Sequence, residues 1–323
     1  MTKWITVLGS VLVLQIAVAV GVNLSRERYQ AVTPEEKLLA FDVAAVDRMR
    51  IDGDADTHVV LQKQDDQWRL PELNDFPADQ GNVKRLLDRL AALDKGWPVA
   101  TTTGAAKRFK VAEETFERKL MLSQGDKIQA ALFVGTSPSF RKVHVRLPDE
   151  DDVRTVEFNT YEVGVKPDDW IDKAILTHPA QDIQRVELPG FTLQQQDDKL
   201  EVMGLAEDEE TVTDEAKRLL ERIAELNIRA VLDTPAASGD GQGEPELRYT
   251  LTFKSGEPQT YTFAKPPDAD HYVLKTSQRD EYFQVDTWTV DQIKESTRDK
   301  LIRKKSQPPE APEPSKESPP PSQ

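Results

Sequence analysis

Apolar residues recur along this chain in a pattern that the chain makes twice. Val59–Gln64 and Gln67–Leu70 alternate around Asp65-Asp66, and the block Leu61–Leu70 returns as Leu193–Val202 around Asp197-Asp198. A period of two about a tight polar pair predicts a β-hairpin, and Asp tolerates the left-handed backbone that such turns require. A period near 3.6 follows in each half. Val83, Leu86, Leu87, Leu90 and Leu93 line one face of a predicted helix with Asp79 as its N-cap; Ala216, Leu219, Leu220, Ile223 and Leu226 repeat the stripe behind Asp214. Beyond the helix both halves turn to strands: Lys119–Ser123, Ile128–Val134, Val143–Leu147 and Val153–Phe158, then Arg248–Phe253, Thr260–Phe263, His271–Lys275 and Tyr282–Val285. Each half closes on an aromatic and a charged pair, Tyr161 with Asp172-Lys173 and Trp288 with Asp299-Lys300.

Strands, a helix, then more strands joined by short turns predict an α+β fold with antiparallel sheets, each packing its apolar face on its helix. The expected organisation is a membrane anchor over 1–24, a linker over 25–40, a first α+β repeat over 41–178, a second over 179–303 and a disordered, Pro-rich tail over 304–323. The copies differ at two places. Trp68 becomes Leu200, and the stretch around Ala105–Thr115 gives way to the small, flexible residues of Pro235–Pro245.

The anchor rests on Trp4–Leu24, an apolar run long enough to cross the hydrocarbon core as one helix. A cleaved signal peptide with Ala17-Val18-Ala19 at its cleavage site is the competing reading; the single charged residue before the run, Lys3, and the apolar residues beyond Ala19 argue against it. Flanking charges nearly balance, with Lys3 before and Arg26 and Arg28 behind, so orientation is argued from the large body that follows. That body is expected outside the cytoplasm, periplasmic or extracytoplasmic, behind one span of the cytoplasmic (inner) membrane.

Composition narrows the function. The 323 residues carry 42 Lys and Arg against 57 Asp and Glu, a net charge of −15, which repels phosphate backbones; no nucleic-acid partner is expected. Cysteine is absent, which removes thiol catalysis, thiolate metal sites and disulfides. Asp65-Asp66 and Asp197-Asp198 are tempting as paired carboxylates, but neighbours at a hairpin tip diverge into solvent. The acidic run Glu207–Glu210 lacks the alternating oxygen ligands and the Gly of a calcium loop. His58, His144, His178 and His271 show no metal-binding spacing and are expected as strand side chains. No nucleophile elbow or Walker-type loop occurs, and Gly239–Gly243 lacks the strand and helix of a dinucleotide site. Arg298–Lys305 is the one basic cluster, suited to anionic lipid, to an acidic partner or to a charged helix end.

The duplicated unit, the Asp-turn hairpin with Trp68, the Ala78-Asp79-Gln80 helix start and Asp172-Lys173 together resemble the membrane-anchored bacterial proteins grouped as domain of unknown function 4340. The likeness runs over about Phe41–Ile302. It implies one amino-terminal span, tandem copies of this module, and a place beside ABC-transport components of the gliding-motility auxiliary type. It supplies no catalytic, cofactor or metal residue, and none is assigned here. Asp66 and Asp198 stand where the family commonly has a turn Gly, and the second Trp is lost. The expectation is therefore a non-enzymatic, membrane-anchored envelope protein, held by Trp4–Leu24, that serves as an interaction or scaffold module with protein partners in an ABC-type transport complex. The alternative is an extracytoplasmic ligand- or glycan-binding module using the cleft between repeats, marked by exposed aromatics such as Trp97 or Trp170. Hydrolase chemistry is disfavoured because its residue patterns are missing.

Overall fold

A computed structural model of the chain describes residues 36–54, 56–197, 199–232 and 245–305, together with Gln15. The expected span over residues 4–24 (Gln15 aside), the expected loop over 235–244 and the tail from residue 306 lie outside the described residues. Among the described residues no helix is long and apolar enough to cross a membrane. The chain divides into two compact units, Met1–Asp172 and Lys173–Gln323.

Unit 1 is built on a nine-stranded sheet. Its strands are β1 (Arg48–Asp52), β2 (His58–Gln64), β3 (Gln67–Leu70), β4 (Phe76–Pro77), β5 (Pro98–Ala100), β8 (Arg118–Gln124), β9 (Lys127–Val134), β10 (Lys142–Arg146) and β11 (Val153–Glu157), in the order β4-β3-β2-β1-β8-β9-β10-β11-β5. Every pairing is antiparallel. Short β6 (Val111–Ala112) and β7 (Thr115–Phe116) pair with each other. The β2–β3 hairpin turns at Asp65 and Asp66 with φ of 48° and 62°, the two left-handed residues of a type I′ turn. Helix α1 (Gln80–Ala92) follows β4 and buries Val83, Leu86, Leu87 and Leu90. Its N-cap is Asp79, whose Oδ1 accepts from the Asn82 backbone N–H at 2.9 Å. The Gln80 side chain acts as an extra rung beside β3: it accepts from the Trp68 N–H at 2.8 Å and donates to the Trp68 carbonyl at 2.9 Å. A second helix, α2 (Thr103–Arg108), joins β6 and β7 over a smaller apolar cluster of Ala106, Val111, Ala112, Phe133 and Val153.

Unit 2 has an eight-stranded antiparallel sheet. Strands β12 (Ile183–Leu188), β13 (Phe191–Gln196), β14 (Lys199–Val202), β16 (Ala230–Leu232), β17 (Leu247–Phe253), β18 (Gln259–Ala264), β19 (His271–Thr276) and β20 (Tyr282–Asp286) run in the order β14-β13-β12-β17-β18-β19-β20-β16. Helix α3 (Thr213–Ala224) buries Ala216, Leu219, Leu220, Ile223 and Ala224, and packs against β14 and two later helices, α4 (Thr287–Lys294) and α5 (Arg298–Leu301). Strand β15 (Glu209–Thr211) leads into α3 and pairs with the carboxy-terminal β21 (Ile302–Lys304). The architecture is α+β in both units, mostly antiparallel sheet with a few helices.

Two sequence expectations need correction. Asp214 is not an N-cap: α3 begins after Val212, which makes no side-chain cap bond, and Asp214 lies inside the first turn. Its charge there favours the helix dipole, but the cap bond seen at Asp79 is missing. Asp299-Lys300 is not the counterpart of Asp172-Lys173 either. In unit 1 the helix start is pinned by Asp79 N–H to the Trp170 carbonyl at 2.7 Å and by Asp172 N–H to the Pro77 carbonyl at 2.9 Å. In unit 2 the same position is pinned by Val212 N–H to the Leu301 carbonyl at 2.8 Å. The closing arm of unit 2 carries α4 and α5 where that of unit 1 carries the 3-10 turns Thr160–Val163 and Pro167–Asp169.

Candidate functional site

The residues singled out by sequence sort quickly. Asp65 and Asp66 are exposed at a hairpin tip, where Asp66 pairs with Lys63 at 3.1 Å; Asp197 is exposed with φ of 47°, and Asp198 lies outside the described residues. The acidic run Glu207–Glu210 and the basic run Arg298–Lys305 meet one another. Arg298 pairs with Glu209 at 2.8 Å, Arg303 with Glu210 at 2.7 Å and Lys304 with Asp208 at 3.4 Å, while Lys305 donates to the Glu207 carbonyl at 2.8 Å. Arg298 holds the Glu209 carboxyl below its ordinary range, helped by the Ala206 N–H. Two runs that look like separate binding surfaces in the sequence are the two sides of the β15–β21 ribbon. Among the described residues no group of three or more His, Asp or Glu is placed to hold a metal ion.

Trp170 is a further correction. It is 1% exposed, and its indole N–H donates to the Gly164 carbonyl at 2.9 Å, so it is a core residue of unit 1 that anchors the segment pinning α1. Trp97 is 66% exposed. Three histidines sit on strands as expected. His58 contacts Glu72 at 3.1 Å, His144 stacks on Phe109 with ring centroids 4.0 Å apart, and His271 contacts Asp270 at 3.0 Å. Strand register separates the last two: Lys142 lies opposite Glu157 as His271 lies opposite Asp286, which leaves His144 two places further along its strand.

His178 is the exception. It sits before the 3-10 turn Ala180–Asp182 rather than on a strand, and its Nε2 lies 3.1 Å from the Tyr261 hydroxyl, which donates to Gln259 Oε1 at 3.0 Å. The phenol has one proton and gives it to Gln259, so His178 Nε2–H is the donor to Tyr261 and Nδ1 is left as an acceptor. Burial holds the imidazole below its ordinary range, with Gln259 and Asp182 opposing, and the ring is neutral at pH 7. Burial also pushes the Tyr261 phenol up to about 12. His178 and Phe253 rings meet at 4.6 Å, tilted by 58°. His178, Phe253 and Gln259 border an open pocket of about 550 Å³ that is completed by the Lys254–Glu257 turn, Gln278 and Asp182, with Tyr261 behind them in the core.

The pocket was hidden from sequence reading because its members come from four separate stretches, and no spacing rule links residues 178, 253, 259 and 278. The nearest signal is a difference between halves. The cross-strand pair Leu120–Leu132 of unit 1 occupies the place of Tyr249–Tyr261 in unit 2, and Leu122–Ala130 the place of Leu251–Gln259. Phe41 precedes the 3-10 turn Val43–Ala45 as His178 precedes its own, each one residue before the N-cap. Unit 1 thus has apolar Phe41, Ala130 and Leu132 where unit 2 has His178, Gln259 and Tyr261.

Unit 2 also holds a charged cluster between its sheet and α4. The Tyr272 hydroxyl lies 3.0 Å from Glu246 Oε2, 2.8 Å from Asp291 Oδ1 and 3.1 Å from Lys294 Nζ. Lys294 holds the Glu246 carboxyl below its ordinary range, and burial pushes Tyr272 up to about 12. Every member is engaged by another, so the cluster reads as a clamp for α4. With these arrangements in place, the comparison with known families is informative: residues 68–245, more than half of the chain, match the family described as domain of unknown function (DUF4340), and the chain belongs to that family. No curated protein and no solved structure matches it.

Proposed function

We propose that this chain is a non-enzymatic interaction module of the bacterial envelope, anchored in the cytoplasmic membrane by residues 4–24, with its two units outside the cytoplasm as tandem copies of one fold. In this reading it serves as an accessory of an ABC-type transport system. One observation carries the interaction role: among the described residues, exposed large apolar side chains are concentrated on unit 1. Trp97, Val99, Ile128, Phe140 and Tyr161 are 54–88% exposed there, against Met203 and Trp288 on unit 2, where Trp288 is shared with the Arg222 guanidinium at 6.0 Å. Trp97 and Val99 lie beside and within β5, the last strand of the nine-stranded sheet, so an apolar run coincides with a free strand edge. Such an edge is a ready surface for a protein partner.

The test is recovery of partners from detergent-solubilised native membranes with the parent chain and with a Trp97→Ser, Val99→Ser double variant. Transport-system subunits are expected with the parent and are expected to be lost with the variant. Recovery of the same subunits by both would remove β5 as the docking edge, and their absence from both would remove the accessory role. A reporter fused after Gln323 tests the topology, since activity of a cytoplasm-only reporter there counts against the exported body.

A further inference from the structure

We propose that the His178–Phe253–Gln259 pocket of unit 2 binds a neutral, polyhydroxylated ligand, the terminal sugar ring of a glycan. The inference stands apart from the accessory role, because it rests on residues of unit 2 rather than on the β5 edge of unit 1. Size comes first: about 550 Å³ lies within the range of small-ligand pockets and holds one or two sugar rings. Shape comes next. Phe253 is half-buried at the pocket wall beside the tilted His178 ring, which presents an apolar surface to the C–H face of a pyranose.

Hydrogen-bonding capacity around that face is mixed. His178 Nδ1 is left as an acceptor once Nε2–H is committed to Tyr261. Gln259 uses its Oε1 on Tyr261 and keeps both N–H groups for a ligand, and Gln278 is exposed at the rim with its amide uncommitted among the described residues. Adjacent sugar hydroxyls both donate and accept, which such a set satisfies and which a purely apolar ligand would leave unmet at a cost.

Charge then selects among polar ligands. Asp182 and Glu257 border the pocket together with Lys254, and among the described residues none of the three has an ion-pair partner within 4 Å. Both signs in one small pocket disfavour a fully anionic or fully cationic ligand, while each remains a strong partner for a neutral hydroxyl. Unit 1 sharpens the assignment. Phe41, Ala130 and Leu132 stand in the places of His178, Gln259 and Tyr261, and the β8–β9 connection is the tight Gly125-Asp126 turn instead of the longer Lys254–Pro258 wall. The polar lining is therefore a property of one unit and not of the shared fold.

The experiment uses the full chain in detergent, applied to an array of immobilised neutral oligosaccharides covering glucans, galactans and chitin oligosaccharides. Any glycan retained is then titrated calorimetrically, with inorganic phosphate and hexylamine as charged probes. Saturable binding of at least one neutral glycan is expected, with neither charged probe competing. Gln278→Ala, an exposed change that leaves the core alone, and His178→Phe, which installs the unit 1 residue, are each expected to weaken that binding about tenfold or more, about 1.4 kcal/mol. Gln124→Ala, at the position in unit 1 that matches Phe253, is expected to leave it unchanged. Retention of no neutral glycan, binding indifferent to both unit 2 variants, or displacement by phosphate or hexylamine would each overturn the proposal.

Discussion

The two units solve one folding problem with different side chains. Unit 1 fills the middle of its sheet with the aliphatic pair Leu120–Leu132, whereas unit 2 uses Tyr249–Tyr261, stacked with ring centroids 5.0 Å apart. Aromatic rings bury more area, but each brings a hydroxyl that must be satisfied. Tyr261 answers that need by reaching His178 and Gln259, which opens a polar pocket at the end of the core. Tyr249 does not, for its hydroxyl is buried and has no protein partner. The helices differ in the same spirit. Helix α1 is capped by Asp79 and tied to β3 through Gln80, while α3 has no cap bond and gains its hold from α4, α5 and the β15–β21 ribbon. The shared strand order sets where the backbone goes; the exchanged side chains decide which unit can offer polar chemistry.

The largest expected effect tests what the units share. Leu87 and Leu220 are 3% and 7% exposed on the buried faces of their helices. Leu→Ala at either should cost about 2–5 kcal/mol in chemical denaturation. A midpoint unchanged at either site would mean that its helix face is wrongly assigned. A smaller effect tests what they do not share. Tyr249→Phe removes a buried hydroxyl without a partner and should stabilise unit 2 by about 1 kcal/mol. In unit 1, Asp79→Ala should cost about 1 kcal/mol through the lost cap, and Asp214→Ala clearly less. Equal losses at Asp79 and Asp214 would erase the capping difference.

Local pattern made the shared features legible. Period-two runs about Asp65-Asp66 and period-3.6 stripes from Val83 and Ala216 were enough to place hairpins and helices, because both signals lie within a dozen residues. What escaped depends on contacts far apart in sequence. The charges of Glu207–Glu210 and Arg298–Lys305 look like two surfaces until pairing makes them one ribbon. Trp170 reads as a free aromatic until the fold buries its ring and its indole N–H donates to the Gly164 carbonyl. The pocket needed the register of β17 against β18 and the turn carrying His178, and neither leaves a spacing in the sequence.

Acid offers a way to separate the units in solution. Burial lowers the His178 pKa from its ordinary 6.5, so the folded state prefers the neutral ring. The stability this contributes is complete above pH 6.5 and is lost as pH falls through the lower folded value. Carboxylates held low by partners, Glu246 by Lys294 and Glu150 by Arg154 and Lys95, act in a separate window below their ordinary 4.5. Within the upper window, as pH falls from 6.5 through the lower folded value of His178, unit 2 should lose stability, and His178→Phe should flatten that part of the profile. Tm measured from pH 7 to 5 on the parent and the variant checks this; parallel profiles would show that His178 does not carry the effect.

The smallest expected effect is at the place where the units agree most closely in sequence. Asp65-Asp66 and Asp197-Asp198 present the same carboxylate pair twice, which makes them attractive as cation sites. The backbone at Asp65, Asp66 and Asp197 explains those three without a ligand. Asp65, Asp66 and Asp197 all have positive φ, and Asp is among the few residues with a side chain that adopts this conformation readily. The tip is solvated, and Asp66 already pairs with Lys63 across the turn. Among the described residues no group of three or more His, Asp or Glu is placed to hold a metal ion, so a divalent ion should bind only at about millimolar concentration or weaker, as set against extracellular calcium modules with fuller ligand sets. Asn suits a type I′ turn at least as well as Asp. Replacing all four by Asn should therefore leave the denaturation midpoint, membrane association and partner recovery nearly unchanged. Calorimetry with calcium and with magnesium on the parent chain should give no saturable heat at micromolar concentrations. A micromolar isotherm that vanishes in the Asn variant would turn these two hairpins from matched turns into matched sites.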